Sequence, residues 1–314
     1  MQPATGPGLR RRRGYLARHR EALTGLSFIA PAALFLLAVM GFPALYLLRH
    51  SLNAEDFANP LGGARFIGLG NYASVLRNHE FWQSTFTTAK IVVAAVGLEF
   101  VIGLGLALLL QRVLAGRRIL VAVMLIPAMM MPIAVGLMWR YMLDDNYGMV
   151  AFYASKVGLT GPGGLFSGSI LGTAHTALAS IVITDVWEWT PFMALILLAG
   201  LQSLPVEPYE AALVDGASAW QEFRLITLPL LRGAITVALL IRIADAMRIL
   251  DIVFSMTNGG PANATQTAQL YTYRVGFEQF HTGLAFAQVV IVAVLTIAVC
   301  GLIFRQVARE GGAR

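Results

Sequence analysis

Six apolar runs, each about as long as a bilayer crossing, leave this 314-residue chain few folds to choose from. They occupy residues 26–48, 86–110, 119–139, 171–201, 229–250 and 284–304. A helix rising 1.5 Å per residue needs roughly 20 such residues to cross about 30 Å of hydrocarbon. Backbone polar groups find no water there, so each crossing must satisfy its own hydrogen bonds as a helix. The expected fold is an all-α polytopic membrane protein with six transmembrane helices. Composition agrees: 57% of residues are hydrophobic and 13% charged, with a mean hydropathy of +0.68, where soluble domains carry about 25% charged residues. The run at 26–48 exceeds the h-region of a cleavable signal, and no small-residue cleavage site follows it, so it is expected to remain as the first span.

Lysine and arginine bias sets the expected orientation. Placing the N-terminus inside puts 1–25, 111–118, about 202–228 and 305–314 in the cytoplasm. Most of the cationic residues then lie inside, among them Arg10, Arg11, Arg12, Arg13, Arg18 and Arg20. The net charge of +6 is read as this topology signal and not as a nucleic-acid surface. Residues 1–25 are thus a basic cytoplasmic segment, 26–304 the membrane domain, and 305–314 a cytoplasmic tail.

One inner link is too long and too ordered to be a plain connection. Residues 207–231 read as two short helices around a tight turn. Ser203 and Pro205 lead in, and Pro208 suits a first helical turn, where its missing N–H leaves no bond unmade. Asp215-Gly216 ends the first helix, because glycine accepts the left-handed stop conformation. Ser218 and Gln221 have capping-box spacing and start the second helix. Trp220, Phe223 and Ile226 give it an apolar stripe, and Pro229 is expected to break it and begin the next span. A capped helix pair held at the membrane surface is expected to be a docking element.

Two spans carry charge. In the run 229–250 and just beyond it, Arg242, Asp245, Arg248 and Asp251 recur every three residues. Each ion facing lipid costs at least about 2.5 kcal/mol, so all four must face protein, water or one another. They are read either as the wall of a polar pathway or as i,i+3 ion pairs bracing the bundle. The span 171–201 holds Asp185, Trp187, Glu188 and Trp189, followed by Pro191. The tryptophans offer flat faces of the kind that stack on sugar rings, or else serve packing. Pro191 removes a helix hydrogen bond, so a kink is expected there. Lys90 and Glu99 lie inside the second apolar run. Beyond the fifth span, Asn258-Gly259-Gly260-Pro261 signals a turn; Asn258 is a candidate ligand contact, the alternative being a simple reversal.

Other chemistry finds little support. No two of the five histidines are paired at i,i+3 or i,i+4, and Cys300 is alone, so no metal site is expected. Met129-Met130-Met131 is read as apolar filler. GxSxG and any matched Ser/His/Asp set are absent. Neither Lys90 nor Lys156 follows a glycine, which excludes a phosphate-cradling GxxxxGK[ST] loop. No cofactor is expected on this chain. An intramembrane enzyme using Asp185, Glu188, Asp245 and Asp251 would lack a paired catalytic signature; a regulatory or scaffold protein, docking a partner without moving solute, is the other alternative.

Glu210-Ala211-Ala212, then Asp215-Gly216-Ala217, then Ile226 and Leu228-Pro229 resemble the "EAA" loop of permease subunits in bacterial ATP-binding-cassette importers. Phe66 with Gly68-Leu69 and Asn71-Tyr72, Trp187 through Pro191-Phe192, and Thr257 with Gly259-Gly260-Pro261 resemble the carbohydrate-uptake branch, related to the maltose and glycerol-phosphate permeases. The chain departs from it at Gly233, where relatives often have proline, and at Thr87-Thr88, where they have Asn-Thr. The resemblance covers about residues 25–305. It implies a type I importer permease fold, with 203–228 as the coupling loop docking into an ATPase subunit. It implies as partners a second homologous permease, two ATPase subunits that use the ATP, an extracytoplasmic solute-binding protein and a carbohydrate. It implies a multi-pass location in the bacterial cytoplasmic membrane, with both termini inside, and alternating access as the mechanism. Glycerol 3-phosphate or another small anion is the alternative substrate, kept open by the two arginines at 242 and 248.

Overall fold

The computed structural model describes residues 7–55, 63–112, 116–158 and 169–311; for 7–27 and 307–311 it describes the backbone alone. The turn signals at Asn59-Pro60 and Gly62 lie outside the described residues, as do the side chains of the N-terminal arginines. Four described helices are each long and apolar enough to cross a membrane, and two bent helix pairs raise the number to six when each pair is counted as one span.

The first long helix, α1 (Pro7–His50), carries the basic segment and the first apolar run on one continuous backbone. A two-residue antiparallel pairing follows, β1 (Asn53–Ala54) with β2 (Arg65–Phe66). The Asn71-Tyr72 pair explains why the chain turns here. Asn71 Nδ2 donates to the carbonyls of Ser51 and Asn53 at 2.9 and 2.8 Å, and the Tyr72 hydroxyl meets Ser51 Oγ at 2.7 Å.

Helix α2 (Gly70–Arg77) ends early, and α3 (His79–Gln111) begins at once. Asn78 causes the restart: its side chain accepts from Phe81 N at 3.0 Å, an N-cap that satisfies an orphan donor. Phe81 and Trp82 therefore open the second span, ahead of the expected start at residue 86. Helix α3 packs along α7 (Ala174–Gln202), and these two form the centre of the bundle. Of their most apolar stretches 44% and 61% is buried, against none of α1. Gly103 permits the approach, since a Cβ there would lie 2.9 Å from Met193 Cγ and 3.2 Å from Ala194 N. Small residues at such contacts let helices approach without a hydrophobic driving force. Helix α7 runs unbroken through Pro191.

The third run is two helices, α4 (Arg117–Ala128) and α5 (Pro132–Met142), bent by 89° at Met129–Met131. Pro132 has no N–H to continue the ladder and holds Met131 extended, at φ −73° and ψ 125°. The expected single span at 119–139 is thus broken, and the three methionines are its corner. The short helix α6 (Met149–Lys156) follows.

Helix α8 (Glu207–Val214) and α9 (Ala219–Glu222) form the two-helix inner link. The second helix continues through a π turn at Phe223–Thr227 into α10 (Leu228–Leu230). Pro229 does not break it. The wide turn, in which Leu228 N bonds back to Phe223 O, absorbs the missing N–H. The break falls at Leu231 instead, where α11 (Arg232–Ala246) leaves at 64°.

At about 1.5 Å per residue α11 spans roughly 22 Å, too little to cross alone. The chain breaks at Met247–Leu250 and resumes as α12 (Asp251–Met256), which packs on α5. The Ile249 carbonyl freed by the break accepts from Thr267 Oγ1 at 3.0 Å. Helix α13 (Ala268–Tyr273), a second π turn (Arg274–Glu278) and α14 (Thr282–Gly311) complete the chain.

Candidate functional site

The break after α11 changes how the four charges of the fifth run are disposed. Arg242 and Asp245 lie on α11, Arg248 is in the break, and Asp251 starts α12. The three-residue repeat is not one helical stripe.

Arg242 is the centre. Its side chain is 1% exposed. Glu99 of α3 grips it in a fork, with Nε to Oε2 at 2.7 Å and Nη2 to Oε1 at 2.9 Å. Nη2 also donates to Asp185 Oδ2 of α7, and Nη1 to Asp245 Oδ2 at 2.9 Å. The planar fork of guanidinium suits such paired contacts, which a lysine ammonium would not reproduce. Three elements thus meet on one cation. Arg248, 69% exposed, reaches Asp245 Oδ1 only at 3.5 Å. The guanidinium carbon of Arg242 also lies 4.9 Å from the centre of the Trp189 ring, within cation–π range.

A cavity of about 360 Å³ opens beside this cluster. Asp185, Trp189, Arg242, Asp245, Arg248 and Asp251 line it, together with the broken backbone at 249–250. Irregular backbone at membrane depth is tolerated where it faces such a cavity.

The other expected contacts lie elsewhere. Trp187 is half-exposed and stands edge-on to Trp139 at 6.0 Å. Glu188 is fully buried outside the cavity lining, and its carboxylate oxygens have no hydrogen-bond partner among the described residues. Asn258, at φ 47°, belongs to an ordered turn: its carbonyl accepts from Arg274 Nη2 at 2.7 Å. Glu99 escaped the reading of the sequence as a site residue. Its signal was a carboxylate inside an apolar run, which requires a cation from another helix.

The inner link is built from local contacts. Gly216 takes φ 70°, and the N–H groups of Gly216 and Ala217 bond to the carbonyls of Leu213 and Ala212, the paired bonds of a Schellman stop. Ser218 Oγ accepts from Gln221 N, and Gln221 Oε1 accepts from Ser218 N, completing the capping box. Ser203 caps the end of α7 instead of opening α8, its hydroxyl donating to Gly200 O at 2.8 Å. Tyr209 donates to Thr227 Oγ1 at 3.1 Å and ties the two helices together. Glu210, Ala211, Asp215 and Gly216 are exposed, Ala217 is half-buried and Ala212 is buried.

The chain is similar to known proteins over most of its length. Over 256 residues the chain is 40% identical to the trehalose/maltose transport system permease protein MalF of Thermococcus litoralis, covering 82% of this chain and 84% of that one. It is 35% identical to the trehalose transport system permease protein SugA of Mycobacterium tuberculosis, covering 86% and 84%. A chain of a bacterial alginate ABC transporter, in complex with an alginate-bound periplasmic protein, shares the fold at 19% identity, with a TM-score of 0.74 and coverage of 93% and 96%. The chain is a membrane transport component and not an enzyme. Residues 99–309 match the family described as the binding-protein-dependent transport system inner membrane component, and the chain belongs to that family.

Proposed function

We propose that this chain forms half of a carbohydrate pathway in an ATP-driven importer, paired with a second homologous permease. Of the two ATPase subunits of the transporter, one receives residues 203–228, on the cytoplasmic side with both termini, and a solute-binding protein delivers the sugar outside. This chain binds no cofactor; ATP is used by its partners. The observation that carries the reading is mechanical continuity. The exposed turn at Gly216 leads through α9 and α10 to the bend at Leu231, and from there α11 runs directly to Arg242 and the cavity. A push on the turn is delivered to the helix that carries the charge centre. The link also exposes Leu213, Val214 and Trp220, apolar surface of the kind a partner covers.

At the far end, Trp189 supplies a flat apolar face beside Asp185, Asp245 and Asp251, a combination suited to a hydroxylated ring. Alternating access then follows as a rigid-body switch between two packings of the bundle. The test is ATP hydrolysis by the assembled transporter in proteoliposomes. Binding protein loaded with a carbohydrate should stimulate it, and the absence of stimulation by every loaded carbohydrate would overturn the reading.

A further inference from the structure

The cavity holds two arginines, yet its electrostatics are acidic. Arg242, the buried one, is already committed. Its Nε and Nη2 groups serve Glu99 and Asp185, and Nη1 serves Asp245. At most one of its five N–H donors remains for a ligand. Glu99 is fully buried on α3 and is not part of the cavity lining, and it adds a carboxylate to those of Asp185, Asp245 and Asp251. Arg248 is largely exposed and partly engaged by Asp245, so water screens it.

We propose that Glu99 is a specificity-determining residue of this pathway: with Asp185 and Asp245 it saturates Arg242, so the cavity admits neutral sugars and rejects acidic ones. Glu99 touches no solute. It acts by withholding the guanidinium from anions and by fixing that group under the indole of Trp189. The inference rests on the carbohydrate reading and sharpens it.

The test uses two probes of the same ring, methyl α-glucoside and its acidic counterpart methyl α-glucuronide. Each is titrated at millimolar concentration into the full chain with its transporter partners in lipid nanodiscs. Tryptophan fluorescence is the signal, with Trp189→Phe as the control for its origin. A unit charge roughly 10 Å away at an effective dielectric constant of about 20 changes binding by about tenfold. The wild type should prefer the glucoside by at least that factor. Glu99→Gln should shrink the preference about tenfold, through tighter glucuronide binding, while Glu99→Asp restores it. A merely structural role for Glu99 would weaken both sugars together.

An unchanged preference in Glu99→Gln, with the glucoside still binding, overturns the proposal. So does a wild type that prefers the glucuronide, which leaves the carbohydrate reading standing. If neither sugar titrates in the wild type, this inference falls, and the carbohydrate reading falls with it only when no loaded carbohydrate stimulates ATP hydrolysis either. Should Glu99→Gln fail to assemble, Asp245→Asn decides, since Asp245 is 43% exposed and leaves the Glu99–Arg242–Asp185 set in place. It should shift the preference in the same direction, and no shift overturns the proposal.

Discussion

The turn at Gly216 and the guanidinium of Arg242 are joined by a helical stretch that bends by 64° at Leu231, yet they are held by opposite means. The bonds within the turn span five residues or fewer, Tyr209–Thr227 ties its two helices across 18, and the turn lies exposed. Arg242 is held by partners 143 and 57 positions away as well as by Asp245, and it is buried. The first region can keep its shape under a push of the kind proposed for the ATPase partner. The second exists only when α3, α7 and α11 are assembled, so any motion of α11 must carry or break its ion pairs. The link is held locally and the charge centre globally.

The comparison breaks most sharply at Arg242. Arg242→Met would leave the buried Glu99 and Asp185 without a cation. Breaking a buried pair in this way costs about 3–5 kcal/mol, enough to lose most of the folded chain. The expected result is a collapse of the thermal unfolding midpoint in detergent. A wild-type midpoint would mean that Glu99 and Asp185 do not depend on Arg242 for neutralisation.

A smaller loss is expected at Gly136, where α5 meets α12. A Cβ there would collide with Ser255 Oγ and approach the Ile252 carbonyl. Gly136→Val should therefore destabilise by about 1–3 kcal/mol, as overpacking does, and should displace the half of the broken span that carries Asp251. Stability measured as before, together with sugar uptake, checks this.

Gly216→Val tests the other region. Nothing lies within 4 Å of a Cβ at this position, so the penalty comes from the backbone at φ 70° alone. It should be about 1–2 kcal/mol, confined to the turn. The chain should still insert and bind its membrane partners, while stimulated ATP hydrolysis falls. Normal uptake in this variant would remove Gly216 from the coupling path.

The smallest effect belongs to Ser218→Ala. Losing the cap should cost about 1 kcal/mol. Combined with Gly136→Val it should be additive in stability within about 0.5 kcal/mol, as for distant sites that share no partner. A larger departure would show that the two regions are coupled in folding.

Much of this was legible in residues. Pro208, Gly216 and the Ser218–Gln221 pair predict the inner link because caps and left-handed stops are local choices. The break at Met129–Met131 was misread, although Pro132 signals it, because a run of apolar residues hides a corner from a hydropathy reading. Pro229 misled in the opposite sense: the π turn before it takes up the missing N–H. The break at Met247–Leu250 carries no proline or glycine at all. It is stabilised by Thr267, whose hydroxyl reaches the Ile249 carbonyl from 18 positions away.

By itself, the sequence determined that the chain is a helical membrane protein with a capped inner link and charges that cannot face lipid, since length, hydropathy and capping act over a few residues. The tertiary structure alone decided which carboxylates close on Arg242, where the fifth span breaks and that the cavity opens there. Those outcomes depend on satisfying buried ions and freed carbonyls across helices far apart in the chain, and no local rule chooses the partner.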